Sequence, residues 1–208
     1  SILYYIGFQL GVQVPYYMFC GLAISKDNGE TFERYSNAPI VDRVDDELYA
    51  RCGVNVIYDT MENCYRMLYI GSYGEGWTMS QGKLKPLYIM KTMESPDGKN
   101  WSYSQPIQCM EYASNDEHGF GRPYVWIEDG LYKMMYSIRT YSRGYYIGYA
   151  ESEDGIHWNR KDSEAGIELS NIGWDDTNLS YPFLFDNGED TFMFYNGNGC
   201  GVTGFGFA

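Results

Sequence analysis

Short apolar runs ending near a tyrosine recur along the chain at nearly constant spacing. They read "ILYYIGF", "YRMLYIGS", "YKMMYSIR" and "FMFYNGN", anchored on Tyr5, Tyr69, Tyr136 and Tyr195, at intervals of 64, 67 and 59 residues. A second strand-like run follows each anchor, at 20–25, 89–95, 147–152 and 205–208. Three of these lead into "SKDNGETF", "SPDGKNW" and "SEDGIHW". Asp-Gly and Asn-Gly supply the positive φ of a hairpin turn, and the aromatic opens the next strand. A further run precedes three of the anchors: "RCGVNVIYD", "RPYVWIEDG" and "YPFLFDNG". Each unit therefore reads as four antiparallel strands, and no segment carries the sustained i, i+3, i+4 stripe of a capped helix.

Four strands recurring about every sixty residues is the pattern of β-propeller blades, whereas a β-sandwich supplies many strands without the four-beat order. The expected fold class is all-β, a partial propeller of three to four blades, forming one domain over residues 1–208. Two complete units stand between two incomplete ones. Open sheet edges present unpaired N–H and C=O groups that recruit other chains. A homodimer or higher assembly is expected, through the "ILYYIGF" start or the "GVTGFGFA" end.

Composition narrows the partners. Aromatics make up 18% of the chain, with 22 Tyr and 24 Gly, as suits an aromatic-rich β protein. Fifteen basic against 28 acidic residues give a net charge of −13, which repels phosphate backbones and anionic lipid. Neither nucleic acid nor a membrane is an expected partner, and no apolar run approaches the roughly 18 residues of a membrane span. The apolar opening lacks a basic flank and a cleavage site, so a cytoplasmic location is expected. Cys20, Cys52, Cys64, Cys109 and Cys200 are widely spaced with no CxxC and read as free thiols in a reducing compartment. No metal and no cofactor is expected.

The candidate chemistry lies upstream of the first strands. Six and five residues before Arg51, Arg122 and Tyr181 stand Asp45-Asp46, Asp116-Glu117 and Asp175-Asp176. First strands of propeller blades line the central channel, so the repeat would set these pairs around one funnel. Clustered carboxylates raise one another's pKa, and a protonated acid beside an ionised base is the apparatus of glycoside cleavage. Asp46, Glu47, Glu117 and Asp175 are the candidate catalytic groups. Asp45, Arg51, Asp116, His118, Arg122, Trp174, Asp176 and Tyr181 are candidate substrate-binding groups, with Trp77, Trp126 and Phe120 as further stacking faces for a sugar. The competing view is that loop Asp residues cap turns by bonding their own backbone. Asp97 and Asp154, in the Asp-Gly turns, are read that way, and His157 as packing or surface. "GFGRP" and "GCGVTGFG" lack the following helix and Lys-Ser/Thr of a phosphate loop.

The run "GRPYVWIEDGLYKMMYS…YYIGYAESEDGIHWNRKD…GWDD…SYPFLFDNGEDTFMFYNGNGCGVTGFGFA" resembles the C-terminal half of five-bladed glycosidase-like propellers. That superfamily includes arabinanases, β-xylosidases, invertases and levanases, together with uncharacterised relatives encoded beside polysaccharide genes, which the chain resembles most. The resemblance implies a carbohydrate-active protein that binds or cleaves a sugar; the alternative is a non-catalytic carbohydrate-binding or self-assembling module. Relatives of this type carry three acids on innermost strands of the first three blades. By that correspondence the third would fall near Asp45, Asp46 or Glu47, the first two would lie outside the chain, and Asp116, Glu117, Asp175 and Asp176 would bind rather than catalyse.

Overall fold

The computed structural model describes residues 1–101 and 105–208, nearly all of them in strands and the turns between them. In chain order the strands are β1 (Ile2–Leu10), β2 (Tyr16–Ile24), β3 (Glu33–Arg34), β4 (Ala50–Asp59), β5 (Cys64–Ser80), β6 (Lys83–Ser95) and β7 (Ile107–Gln108). Then follow β8 (Glu117–Glu128), β9 (Leu131–Thr140), β10 (Gly144–Ser152), β11 (Asn159–Arg160), β12 (Ser180–Asp186), β13 (Thr191–Asn196) and β14 (Phe205–Phe207). Helical turns occur only at Asp162–Glu164 and Asn198–Gly201 among the described residues, and no helix is long and apolar enough to cross a membrane. All five cysteines are free thiols.

The chain divides into two compact units, Ser1–Gln108 and Cys109–Ala208. In the first, β1, β2 and β3 form one antiparallel repeat and β4 to β7 another. A short parallel contact, Met18↔Ala50 and Phe19↔Arg51, joins β2 to β4. In the second unit, β8 to β11 form a four-stranded antiparallel sheet and β12 to β14 a three-stranded one. This is the four-beat strand order of propeller blades, in the register that the tyrosine anchors imply. Tyr69, Tyr136 and Tyr195 are buried in the middle of their sheets, where alternation along a strand turns every second side chain inward. Tyr69 packs with Cys20, Val41, Met67, Met93 and Trp101; Tyr195 packs with Ile147, Tyr149, Leu179 and Met193. Burying each large side chain contributes about 1.5–3 kcal/mol. Among the described residues β1 is the edge strand of its sheet, and Phe8 and Leu10 on it are 67% and 87% exposed.

The first strands β4, β8 and β12 each carry an irregularity near their start, at Cys52/Asn55, Gly121/Tyr124 and Ser180/Phe183. Arg51, Arg122 and Tyr181 stand beside these bulges. Gly53 takes φ 62° in the first, and Tyr181 takes φ 61° in the third. A tyrosine rarely adopts that left-handed region, so the surrounding contacts must hold it there.

The three Asp turns are built alike. Ser25, Ser95 and Ser152 donate to Asp27, Asp97 and Asp154 at 2.7, 3.0 and 2.9 Å. The same serine hydroxyls accept from the backbone of Gly29, Gly98 and Gly155 at 2.8, 3.0 and 2.8 Å. The Asp carboxyls lie well below the usual range: Asp27 through Thr31, Asp97 through the backbone of Asn100. For Asp154 the largest influence, burial, acts upward and is outweighed by the bonds from His157 and Ile156. A depressed folded pKa contributes stability above the unfolded value, about 3.9, that is lost as pH falls through and below it. The turns are expected to loosen together below about pH 4, seen as rising amide exchange at Gly98 and Gly155 while the strand centres stay protected.

Candidate functional site

Each acidic segment splits into groups that turn inward and groups that stay outside. In the first unit, the backbone bond from Glu47 N to Val44 O, 2.9 Å, closes a tight turn. Asp45 and Asp46 are left exposed, while Glu47 is 1% exposed. Glu47 Oε2 lies 2.7 Å from Arg51 Nε and accepts the Tyr69 hydroxyl at 2.8 Å; Oε1 lies 3.1 Å from Lys91 Nζ. Arg51 also donates to Asp42 O at 2.8 Å. The carboxylate fits because residue 71 is glycine: a Cβ there would stand 1.8 Å from Glu47 Oε1. Burial, and then the Glu47 charge, push the Tyr69 hydroxyl far above its ordinary value, so it stays a donor. Asp45 and Asp46 line a cleft of about 460 Å³ with Tyr49, Tyr73, Glu75 and Lys91. Among the described residues neither aspartate side chain has a partner.

In the second unit, Glu117 is 5% exposed and held bidentately by Arg160, NH1 to Oε2 at 2.7 Å and NH2 to Oε1 at 2.9 Å. Ala113 N and the Tyr146 hydroxyl complete its partners at 3.0 and 3.3 Å. Arg160 continues to Asp162, whose other oxygen accepts the Tyr136 hydroxyl at 2.6 Å. Asp116 instead accepts from the backbone and hydroxyl of Ser142, a turn-closing role. His118 is buried and stacks on Tyr141 at 4.5 Å, and Arg122 is exposed.

Asp175 is 4% exposed and accepts the Tyr195 hydroxyl at 2.8 Å. Burial first, then this bond, push the tyrosine up to about 12. Trp174 stacks on Tyr195 with centroids 5.3 Å apart, its indole filling the space that Gly197 and Gly206 leave without a Cβ. Asp176 accepts from Gly173 N and from Asn198 Nδ2, at 3.2 and 2.7 Å. The Tyr181 backbone N–H donates to Ser137 Oγ at 2.8 Å, and its ring meets Tyr145 at 5.7 Å.

Asp45, Asp46, Glu47 and Arg51 thus gather in the first unit, and Trp174, Asp175 and Asp176 in the second. Phe120 and Trp77 are buried and offer no open face, because each is packed into its own sheet. The pairing partners Lys91, Arg160, Asp162 and Asn198 carry no repeat signal, since each occurs in one unit only. Tyr69 and Tyr195 were visible as repeat anchors, but not as donors to the acids. Asn198, in the "YNGN" phrase, also accepts from the backbone of Thr177 and Asn178 at 2.9 and 3.0 Å, and so pins the loop that holds Asp175. No group of His, Cys, Asp and Glu arranged to hold a metal ion occurs among the described residues.

The sequence matches no family model. It is 34% identical over 207 residues to the uncharacterized protein Rv1502 of Mycobacterium tuberculosis, covering 100% of this chain and 66% of that protein. The chain therefore spans a little under two thirds of that relative's length. Among solved structures, a thermostable family-43 glycoside hydrolase aligns with TM-score 0.69 at 19% identity, over 92% of this chain and 61% of that one. The endo-arabinase of Bacteroides thetaiotaomicron aligns with TM-score 0.66 at 15% identity, over 99% of this chain and 69% of that one. The fold is that of the five-bladed glycosidase propellers, here as a partial propeller.

Proposed function

We propose that the chain is a carbohydrate-active protein that binds a sugar beside the starts of its first strands, with the cleft of Asp45 and Asp46 as the principal contact. The observation that carries this is the division of labour among the carboxylates. Glu47 and Glu117 have their oxygens taken by guanidinium, ammonium and phenol groups of the protein itself. Asp45 and Asp46 stand free in a cleft that also holds Tyr49 and Tyr73. Free carboxylates accept sugar hydroxyls, and tyrosine rings stack on the apolar faces of pyranoses or furanoses. The glycosidase fold supports a carbohydrate as the ligand class.

A second version makes the chain a glycoside hydrolase, with Asp46, Glu47, Glu117 or Asp175 as acid or base; the fold neighbours favour it. One experiment separates the two. Wild type and the Asp45→Asn/Asp46→Asn double variant are screened against a glycan library for binding and for hydrolysis. In a binding module, wild type retains glycans without cleaving them and the variant weakens retention at least about tenfold, the scale of lost charge-assisted hydrogen bonds. Turnover by wild type that falls about a hundredfold in Asp46→Asn or Glu117→Gln marks the enzyme instead. Retention of no glycan by wild type would end both versions.

A further inference from the structure

We propose that a second site in the residue 109–208 unit takes a sugar bearing a carboxylate, with Arg143 as its anchor; the assignment rests on the carbohydrate reading above and names a substrate class for it. The site is a cavity of about 840 Å³ between the β9–β10 turn and the loop that leads to β12. That volume lies in the range of small-molecule pockets. Its walls are tied to each other: Leu179 N donates to Tyr145 O at 3.1 Å, and Asn178 Nδ2 donates to Arg143 O at 3.0 Å. Gly144, at φ 81°, permits this approach, since a Cβ there would stand 2.5 Å from Asn178 Nδ2.

Arg143 is preorganised. Its guanidinium lies over the Tyr146 ring, 4.5 Å from the centroid, which holds the plane while leaving the N–H edge for a ligand. Among the described residues it makes no ion pair, in a chain that carries 28 acidic against 15 basic residues. The neighbouring cation Arg160 is engaged by Glu117 and Asp162. Asp162, which lines the cavity, is in turn engaged by Arg160 and the Tyr136 hydroxyl. Glu168 and Thr177 supply polar groups for hydroxyls, and Tyr146 and Ile167 supply apolar surface. A guanidinium fork pairs with a carboxylate through two parallel bonds. One guanidinium balances one negative charge, and the acidic walls disfavour the double charge of a phosphate monoester.

Calorimetry of the full chain at low salt tests the assignment. The probes are glucuronate, galacturonate and N-acetylneuraminate, with glucose, galactose and N-acetylmannosamine as neutral counterparts and glucose 6-phosphate as the phosphate arm. At least one sugar acid is expected to bind about tenfold or more tighter than its neutral counterpart and than the phosphate. Arg143→Met should remove that preference, and Arg143→Lys should keep part of it. Arg143 is exposed, so a melting curve is expected to show the variants folded. Equal binding of acids and neutral sugars, a preference that survives Arg143→Met, or tighter binding of the phosphate overturns this site alone. Absence of binding by every sugar overturns the carbohydrate reading with it.

Discussion

Asp59→Ala is expected to cause the largest loss of stability of any single change in the chain. Asp59 and Arg66 are 0% and 1% exposed; Asp59 Oδ2 accepts from Arg66 Nε and NH2 at 3.2 and 3.1 Å. Its other oxygen caps the β4–β5 turn by accepting from Met61 N and Glu62 N at 3.1 and 3.2 Å. Removing the carboxylate leaves a buried guanidinium whose remaining ion pair, Glu94 at 3.1 Å, is half exposed. Breaking a buried pair in this way costs about 3–5 kcal/mol, and the lost caps add about 1 kcal/mol. Denaturant titration followed by tryptophan fluorescence measures it. Asp59→Asn keeps the caps and should fall between the alanine variant and wild type. Asp59→Leu combined with Arg66→Met should recover most of the loss, because the expense lies in the orphaned charge. A loss under about 1 kcal/mol for Asp59→Ala would show that water reaches Arg66.

Glu47→Ala is expected to destabilise the first unit by about 3–5 kcal/mol, because it leaves Arg51 and Lys91 beside a vacated acceptor. For a chain of this length that is a fall in melting temperature of about 10 °C. Glu47→Gln retains the volume and an acceptor for the Tyr69 hydroxyl and should cost clearly less. By contrast, Asp45→Asn/Asp46→Asn removes charge from exposed side chains and should leave the melting temperature within about 2 °C of wild type. Thermal melts of the three variants side by side separate the buried carboxylate from the two exposed ones. A Glu47→Ala protein that melts like wild type would mean that the ion pairs contribute nothing net.

Strand order was legible because it depends on local alternation and turn chemistry. The tyrosine anchors, the Ser-x-Asp-Gly turns and the apolar runs are written within a few residues of each other, and β4 to β14 follow them closely. The acidic segments were legible for a similar reason, since Asp45-Asp46, Asp116-Glu117 and Asp175-Asp176 recur with the repeat. Which acid of each segment is buried was not. Glu47 turns in as the third acid of its run, Glu117 as the second, and Asp175 as the first. That choice depends on partners far along the chain: Tyr69 and Lys91 for Glu47, Arg160 for Glu117, Tyr195 for Asp175. It depends equally on the absence of a Cβ at Gly71, whose meaning appears only when β5 lies against the Glu47 turn. The sequence by itself determined the repeating strands and the presence of acids before each first strand, because both follow from neighbours in the chain. The tertiary structure alone decided which carboxylates are neutralised by cations and which remain open, because a charge is stabilised by whatever surrounds it in space.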